Sequence, residues 1–134
     1  HTKEYLDSVD LYPFKQILQA GIGGIMIGHL QVDAYDSTRN QPSSLSHLIV
    51  NNLLKKQMNC KALVFSDGMD MKAVTDNYKN GAGELAALKA GIDIILLPDD
   101  MPKAVTAIAT ARKVFPVPAG PMPKFIVLFE IIST

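Results

Sequence analysis

Ala62-Leu63-Val64-Phe65-Ser66-Asp67-Gly68-Met69-Asp70-Met71 decides the fold. An unbroken apolar run, preceded by the charged and polar stretch from Lys55 to Asn59, ends abruptly in Ser66-Asp67. Continuous apolar runs of this length belong to strands covered on both faces, the situation of a parallel sheet flanked by helices. Such sheets, open or closed into a barrel, carry their reacting and ligand-binding groups at the carboxyl ends of the strands. Asp67 stands at that end and is a candidate reactive carboxylate.

Upstream, Leu6, Val9, Leu11, Phe14, Ile17 and Leu18 recur at helical spacing between Tyr5 and Ala20, with Pro13 placed to start the main helix at Phe14. Gly21 stops it, and Ile22 to Ile27 reads as a second buried strand closing at Gly28-His29. A long polar loop runs from Gln31 to Ser44, where Ser43 or Ser44 is placed to cap a helix from Leu45 to about Met58. Downstream, Met69 to Tyr78 reads as a short helix or loop. Gly83 to Ala90 is an Ala-rich helix ended by Gly91, and Ile92 to Leu97 is a third strand halted by Pro98. Lys103 to Lys113 forms the next helix. Strands alternating with single helices predict a parallel α/β arrangement. Three strands are too few to close a barrel, so the open edges need covering or invite self-association.

The chain has 134 residues, 48% hydrophobic and 19% charged, enough for one domain with a real core. Thirteen basic residues balance thirteen acidic ones, and no cationic cluster exceeds Lys55-Lys56, which argues against nucleic acid as a partner. The single Cys60 excludes an internal disulfide and reads as a buried, inert thiol. The apolar run Phe125 to Phe129 is too short to span a bilayer. Pro116, Pro118, Pro121 and Pro123 forbid a helix or a central strand there, leaving Phe125 to Ile132 as either an edge strand or an unstructured apolar end.

At this point the residues resemble a known family. Leu53-Leu54-Lys55-Lys56-Gln57, Met58-Asn59-Cys60-Lys61-Ala62 and Leu63-Val64-Phe65-Ser66-Asp67 are similar to the signature of the family-three glycoside hydrolases, in which a Ser-Asp or Thr-Asp pair at a strand end supplies the nucleophile. Further blocks agree in the same order: Leu11-Tyr12-Pro13-Phe14-Lys15, Ile25-Met26-Ile27-Gly28-His29, Pro42-Ser43-Ser44-Leu45-Ser46, Asp70-Met71-Lys72-Ala73-Val74, and Ala90-Gly91-Ile92-Asp93-Ile94-Ile95-Leu96-Leu97-Pro98. The resemblance covers about Tyr5 to about Ala111 and is nearest to the bacterial β-N-acetylglucosaminidase branch, where Asp-Met-Lys-(Gly/Ala)-Val commonly follows the nucleophile.

The resemblance implies an α/β fold that is part of a (β/α)8 TIM barrel, roughly its carboxyl-terminal half, over residues 1–113. Residues 114–134 form a tail outside the family pattern. It implies a retaining glycosidase acting on terminal β-linked sugars such as N-acetylglucosamine, with Asp67 as nucleophile and with no metal or organic cofactor. His29 and Met71 fall at positions that could contact the sugar. The family's Lys-His-Phe-Pro-Gly-His-Gly segment and its Asp-His acid/base loop would lie before His1, so His1 is not the catalytic histidine and the isolated chain is expected to be nearly inactive. Ala62 stands where the family has Gly, and Gly68 where Asp, Ala or another small residue is common; neither change removes a reacting group.

Retaining chemistry needs an ionised carboxylate to attack the anomeric carbon and a proton donor for the leaving oxygen, about 5 Å away when both are carboxyls. The residues also have plainer readings. Asp67 could cap the next turn, His29 could satisfy a backbone carbonyl, and Met71 could fill the core. Asp93 reads as a structural hydrogen-bonding group, Asp99 and Asp100 as a helix cap, and Glu84 as a complement to a helix dipole. Gly21-Ile22-Gly23-Gly24 precedes a strand, which is the wrong geometry for a phosphate loop. From a different functional class, a non-catalytic carbohydrate-binding or interaction module fits the same α/β pattern.

Overall fold

The computed structural model describes residues 1–114 and 127–129. Among these residues four parallel strands, β1 (Gly24–Ile27), β2 (Leu63–Gly68), β3 (Ile94–Leu96) and β4 (Val127–Phe129), form one sheet in the order β1-β2-β3-β4. Strands that follow one another without reversal of order build the arc of a barrel, whereas a doubly wound sheet reverses at a switch point. The chain is therefore part of a (β/α) barrel, with β1 and β4 at the open edges.

Helices alternate with the strands as the periodicity predicts. The Tyr12–Gln19 helix begins with Pro13 in its first turn and precedes β1. The Leu48–Gln57 helix lies between β1 and β2, the Lys72–Thr75 and Ala82–Ala90 helices between β2 and β3, and the Met101–Val114 helix after β3. Gly91 ends the Ala-rich helix at φ 113°, a left-handed conformation that glycine adopts without a steric cost. Asp100 caps the Met101–Val114 helix, accepting from Lys103 N–H at 3.0 Å. The final stretch does contribute an edge strand over Val127–Phe129, whereas the prolines from Pro116 to Pro123 lie outside the described residues.

The second helix corrects the sequence reading. It begins at Leu48, not Leu45, because Ser43–Leu45 make a separate 3₁₀ turn. Neither Ser43 nor Ser44 caps it; the Ser46 hydroxyl accepts from Ile49 N–H at 3.3 Å. Its winding is also wider than an α-helix, as in the bond from Met58 N–H to Leu53 C=O five residues earlier.

The core lies between the sheet and these helices. Val50, Val64, Met69, Ala87 and Ile95 are fully buried at its centre, with Cys60 as a buried free thiol. Side chains of β2 alternate sharply: Val64, Ser66 and Gly68 are buried toward the helices, while Leu63, Phe65 and Asp67 face the other way and remain more accessible. Parallel register places Met26, 59% exposed, beside Phe65 on that open face. Phe14 and Ile17 of the first long helix are exposed as well. Among the described residues no helix is long and apolar enough to cross a membrane.

Candidate active site

Asp67 is the penultimate residue of β2, on the uncovered face of the arc. It is partly buried, and its Oδ1 accepts the N–H of Gly68 at 2.8 Å. Among the described residues it belongs to no ion pair. The carboxylate is thus not turned into the core and, among the described residues, has no cationic partner.

Asp67 lies within an irregularity between β2 and β3. Their register shifts between Phe65 and Gly68, so the ladder leaves Leu96 N–H without a β2 carbonyl. The fully buried Ser66 hydroxyl takes its place, accepting that N–H at 3.0 Å. Backbone bonds then resume, from Met69 N–H to Leu96 C=O at 3.0 Å and from Asp70 N–H to Leu97 C=O at 3.1 Å. Leu97, at φ 45°, is itself held in the left-handed region.

His29 extends β1 toward the same end of the sheet. Its Nε2 lies 2.9 Å from Gly68 C=O, and its Nδ1 lies 2.6 Å from the buried Ser44 hydroxyl. A carbonyl can only accept, so Nε2 carries the proton; in the neutral ring Nδ1 accepts from Ser44. Both ring nitrogens are engaged with protein atoms, and the carbonyl-satisfying role considered for His29 is realised. Met71 is 46% exposed and does not fill the core; buried Met69 does.

The loop between β1 and the Ser43–Leu45 turn is stapled to this end of the sheet by polar groups that the periodicity did not reveal. Ser43 Oγ donates to Gly28 C=O at 2.6 Å and accepts Leu30 N–H at 3.2 Å. Tyr78 donates to Gln41 Oε1 at 2.7 Å, and Gln41 Nε2 donates to Leu45 C=O at 2.6 Å. Burial and the charge of Asp36 both raise the Tyr78 hydroxyl above its ordinary pKa. The buried Asp36 accepts from the Ser46 hydroxyl and from Thr38 N–H. Burial pushes its carboxyl up, yet the hydrogen bonds from Ser46 and Thr38 outweigh this and hold it below the usual carboxylate value.

The remaining acidic candidates are structural. Asp93 pairs with Lys55 at 2.8 Å and accepts Val64 N–H at 2.9 Å, bracing the start of β2. Glu84 is buried in the first turn of its helix and accepts Asp99 N–H at 3.2 Å, so it also ties down the segment after β3. No three His, Cys, Asp or Glu side chains converge as a metal site among the described residues. A recess lined by Asn80, Pro102, Lys103, Thr106 and Ala107 shares none of the residues around Asp67.

The chain is similar to known proteins. A β-hexosaminidase of Glaesserella parasuis is 32% identical over 119 residues, covering 87% of this chain and 33% of the relative. A solved glycoside hydrolase family 3 β-N-acetylglucosaminidase from a Paenibacillus species superposes with a TM-score of 0.78 at 27% identity, covering 85% of this chain and 22% of that one. The β-N-acetylglucosaminidase of Thermotoga maritima gives 0.73 at 28% identity, covering 84% and 26%. The chain spans no more than 33% of the length of these relatives. The model of the glycosyl hydrolase family 3 amino-terminal domain matches residues 1–118, and the chain accordingly belongs to that family.

Proposed function

We propose that this chain is a part of a retaining β-N-acetylglucosaminidase barrel and that Asp67 is its nucleophile. Asp67 attacks the anomeric carbon as the glycosidic C–O bond breaks and a proton passes to the leaving oxygen; water then hydrolyses the glycosyl ester. The observation that carries the reading is the placement of Asp67 at the carboxyl end of β2, on the open face and free of any ion pair among the described residues. Family membership and the β-hexosaminidase names of relatives support the sugar class. Exposed Met71 lies just beyond, at a position suited to packing against an apolar sugar face. His29 lines the same end of the barrel. The proton donor is expected from the rest of a complete barrel, and without it the rate falls by a factor on the order of 10² to 10⁴.

The test completes the barrel by fusing the chain to the amino-terminal segment of the Glaesserella parasuis relative. The fusion is then treated with a mechanism-based fluorinated N-acetylglucosaminide. Mass spectrometry should find the label on the peptide containing Asp67, and Asp67→Asn should lower turnover by at least about 10³-fold with the fold intact. A label on another carboxylate, or sugar binding with no labelling, would overturn the assignment.

A further inference from the structure

We propose that His29 is the positioning residue of Asp67, acting through the Gly68 backbone and keyed by the Ser44 hydroxyl. The proposal rests on the reading of Asp67 as nucleophile. Gly68 is gripped on both sides: its N–H donates to Asp67 Oδ1 at 2.8 Å, and its carbonyl accepts His29 Nε2–H at 2.9 Å. A glycine has wide backbone freedom, so a nucleophile held by a glycine N–H is only as well oriented as that glycine. His29 supplies the restraint from 39 residues away, across the top of the β1–β2 pair.

The ring can do this only in one tautomer. If the proton sat on Nδ1, Nε2 and the Gly68 carbonyl would face each other as two acceptors. Ser44, fully buried and 2.6 Å from Nδ1, has a hydroxyl that can donate there and so leaves the proton on Nε2. Ser44 is itself anchored, because the neighbouring Ser43 bonds Gly28 C=O and Leu30 N–H on either side of His29. The turn after the long loop therefore reads out the end of β1 and sets the histidine, which sets Gly68, which sets the carboxylate. Nucleophile misplacement of about 1 Å is enough to cost on the order of 10²-fold in rate. With both nitrogens occupied, His29 needs no bond to the sugar.

Two measurements test this. In the chain itself, long-range ¹H–¹⁵N spectra of labelled histidine should show His29 as the Nε2–H tautomer, and His29→Ala should shift the Gly68 amide resonance and speed its hydrogen exchange. This arm is independent of what Asp67 does. In the completed-barrel fusion, His29→Ala should lower kcat about 10²-fold with KM within about 2-fold, while His29→Gln, whose side-chain amide offers an N–H to Gly68, should recover at least about tenfold of the loss. An Nδ1–H tautomer, an unchanged Gly68 amide, no recovery in His29→Gln, or a raised KM at constant kcat would each overturn the proposal. If Asp67→Asn stays active while the spectra come out as expected, the nucleophile assignment fails and the restraint on Gly68 stands.

Discussion

The Ser66 hydroxyl accepts the backbone N–H of Leu96 at 3.0 Å, replacing a ladder bond at the one place where β2 and β3 fall out of register. The residue that precedes the candidate nucleophile is thus a backbone partner of the neighbouring strand. Removing it leaves Leu96 N–H buried beside an apolar methyl.

Ser66→Ala is expected to destabilise the chain by about 1–3 kcal/mol, the cost of an unsatisfied buried donor. Ser66→Thr, which keeps the hydroxyl, should lose less if its extra methyl fits. Urea unfolding monitored by circular dichroism measures both. Equal stability of Ser66→Ala and the parent chain would show that the hydroxyl does not carry the bulge.

Asp93 and Lys55 separate a backbone bond from an ion pair. Asp93→Ala removes the acceptor of Val64 N–H and should cost about 1–3 kcal/mol. Lys55→Met removes only a partly exposed charge partner at 2.8 Å and should cost about 0–1 kcal/mol. The same denaturation series ranks them, and a larger loss from Lys55→Met would contradict the ordering.

Gly81, at φ 79°, sits where an added Cβ would come within 2.6 Å of the Lys103 carbonyl oxygen. A side chain there meets both a left-handed backbone and immovable main chain of the next helix. Gly81→Ala should therefore destabilise by about 2–4 kcal/mol and loosen the contact between the Ala82–Ala90 and Met101–Val114 helices. Thermal unfolding and amide exchange in those helices report it.

Asp36 makes the long loop acid-sensitive. Its carboxyl is held below its unfolded value, so it contributes stability above the ordinary carboxylate pKa and loses that contribution as pH falls through the lowered one. Ser46→Ala removes a hydrogen bond from the buried carboxylate and should cost about 1–3 kcal/mol at pH 7. The variant's penalty should shrink as pH falls through the lowered value, where the carboxyl becomes protonated in both proteins. A penalty that is independent of pH would point to lost packing instead.

Much of the architecture was legible from local chemistry. The apolar runs around Val64 and Ile95 read correctly as parallel strands, but not as strands covered on both faces. β2 is buried on its helix side alone, and β1, expected as a buried strand over Ile22 to Ile27, has no fully buried residue, because in the described residues helices cover one face of the arc. Gly91 and Asp100 read correctly as helix punctuation because those signals act within one turn. Asp93 was legible as structural from its place at the start of a strand. The serines were not. Ser43 and Ser44 follow a loop and precede a helix, which is the local signature of a cap, yet their partners are Gly28, Leu30 and His29, 13 to 15 residues away.

The amino-acid order by itself determined the alternation of strands and helices and put a carboxylate at the end of β2, since hydrophobic period and residue type act over a few positions. Tertiary structure decided what surrounds that carboxylate. Which hydroxyl fills the bulge and which carbonyl the histidine meets depend on strand register, and register sets side-chain partners 30 and 39 residues apart only after the sheet has formed.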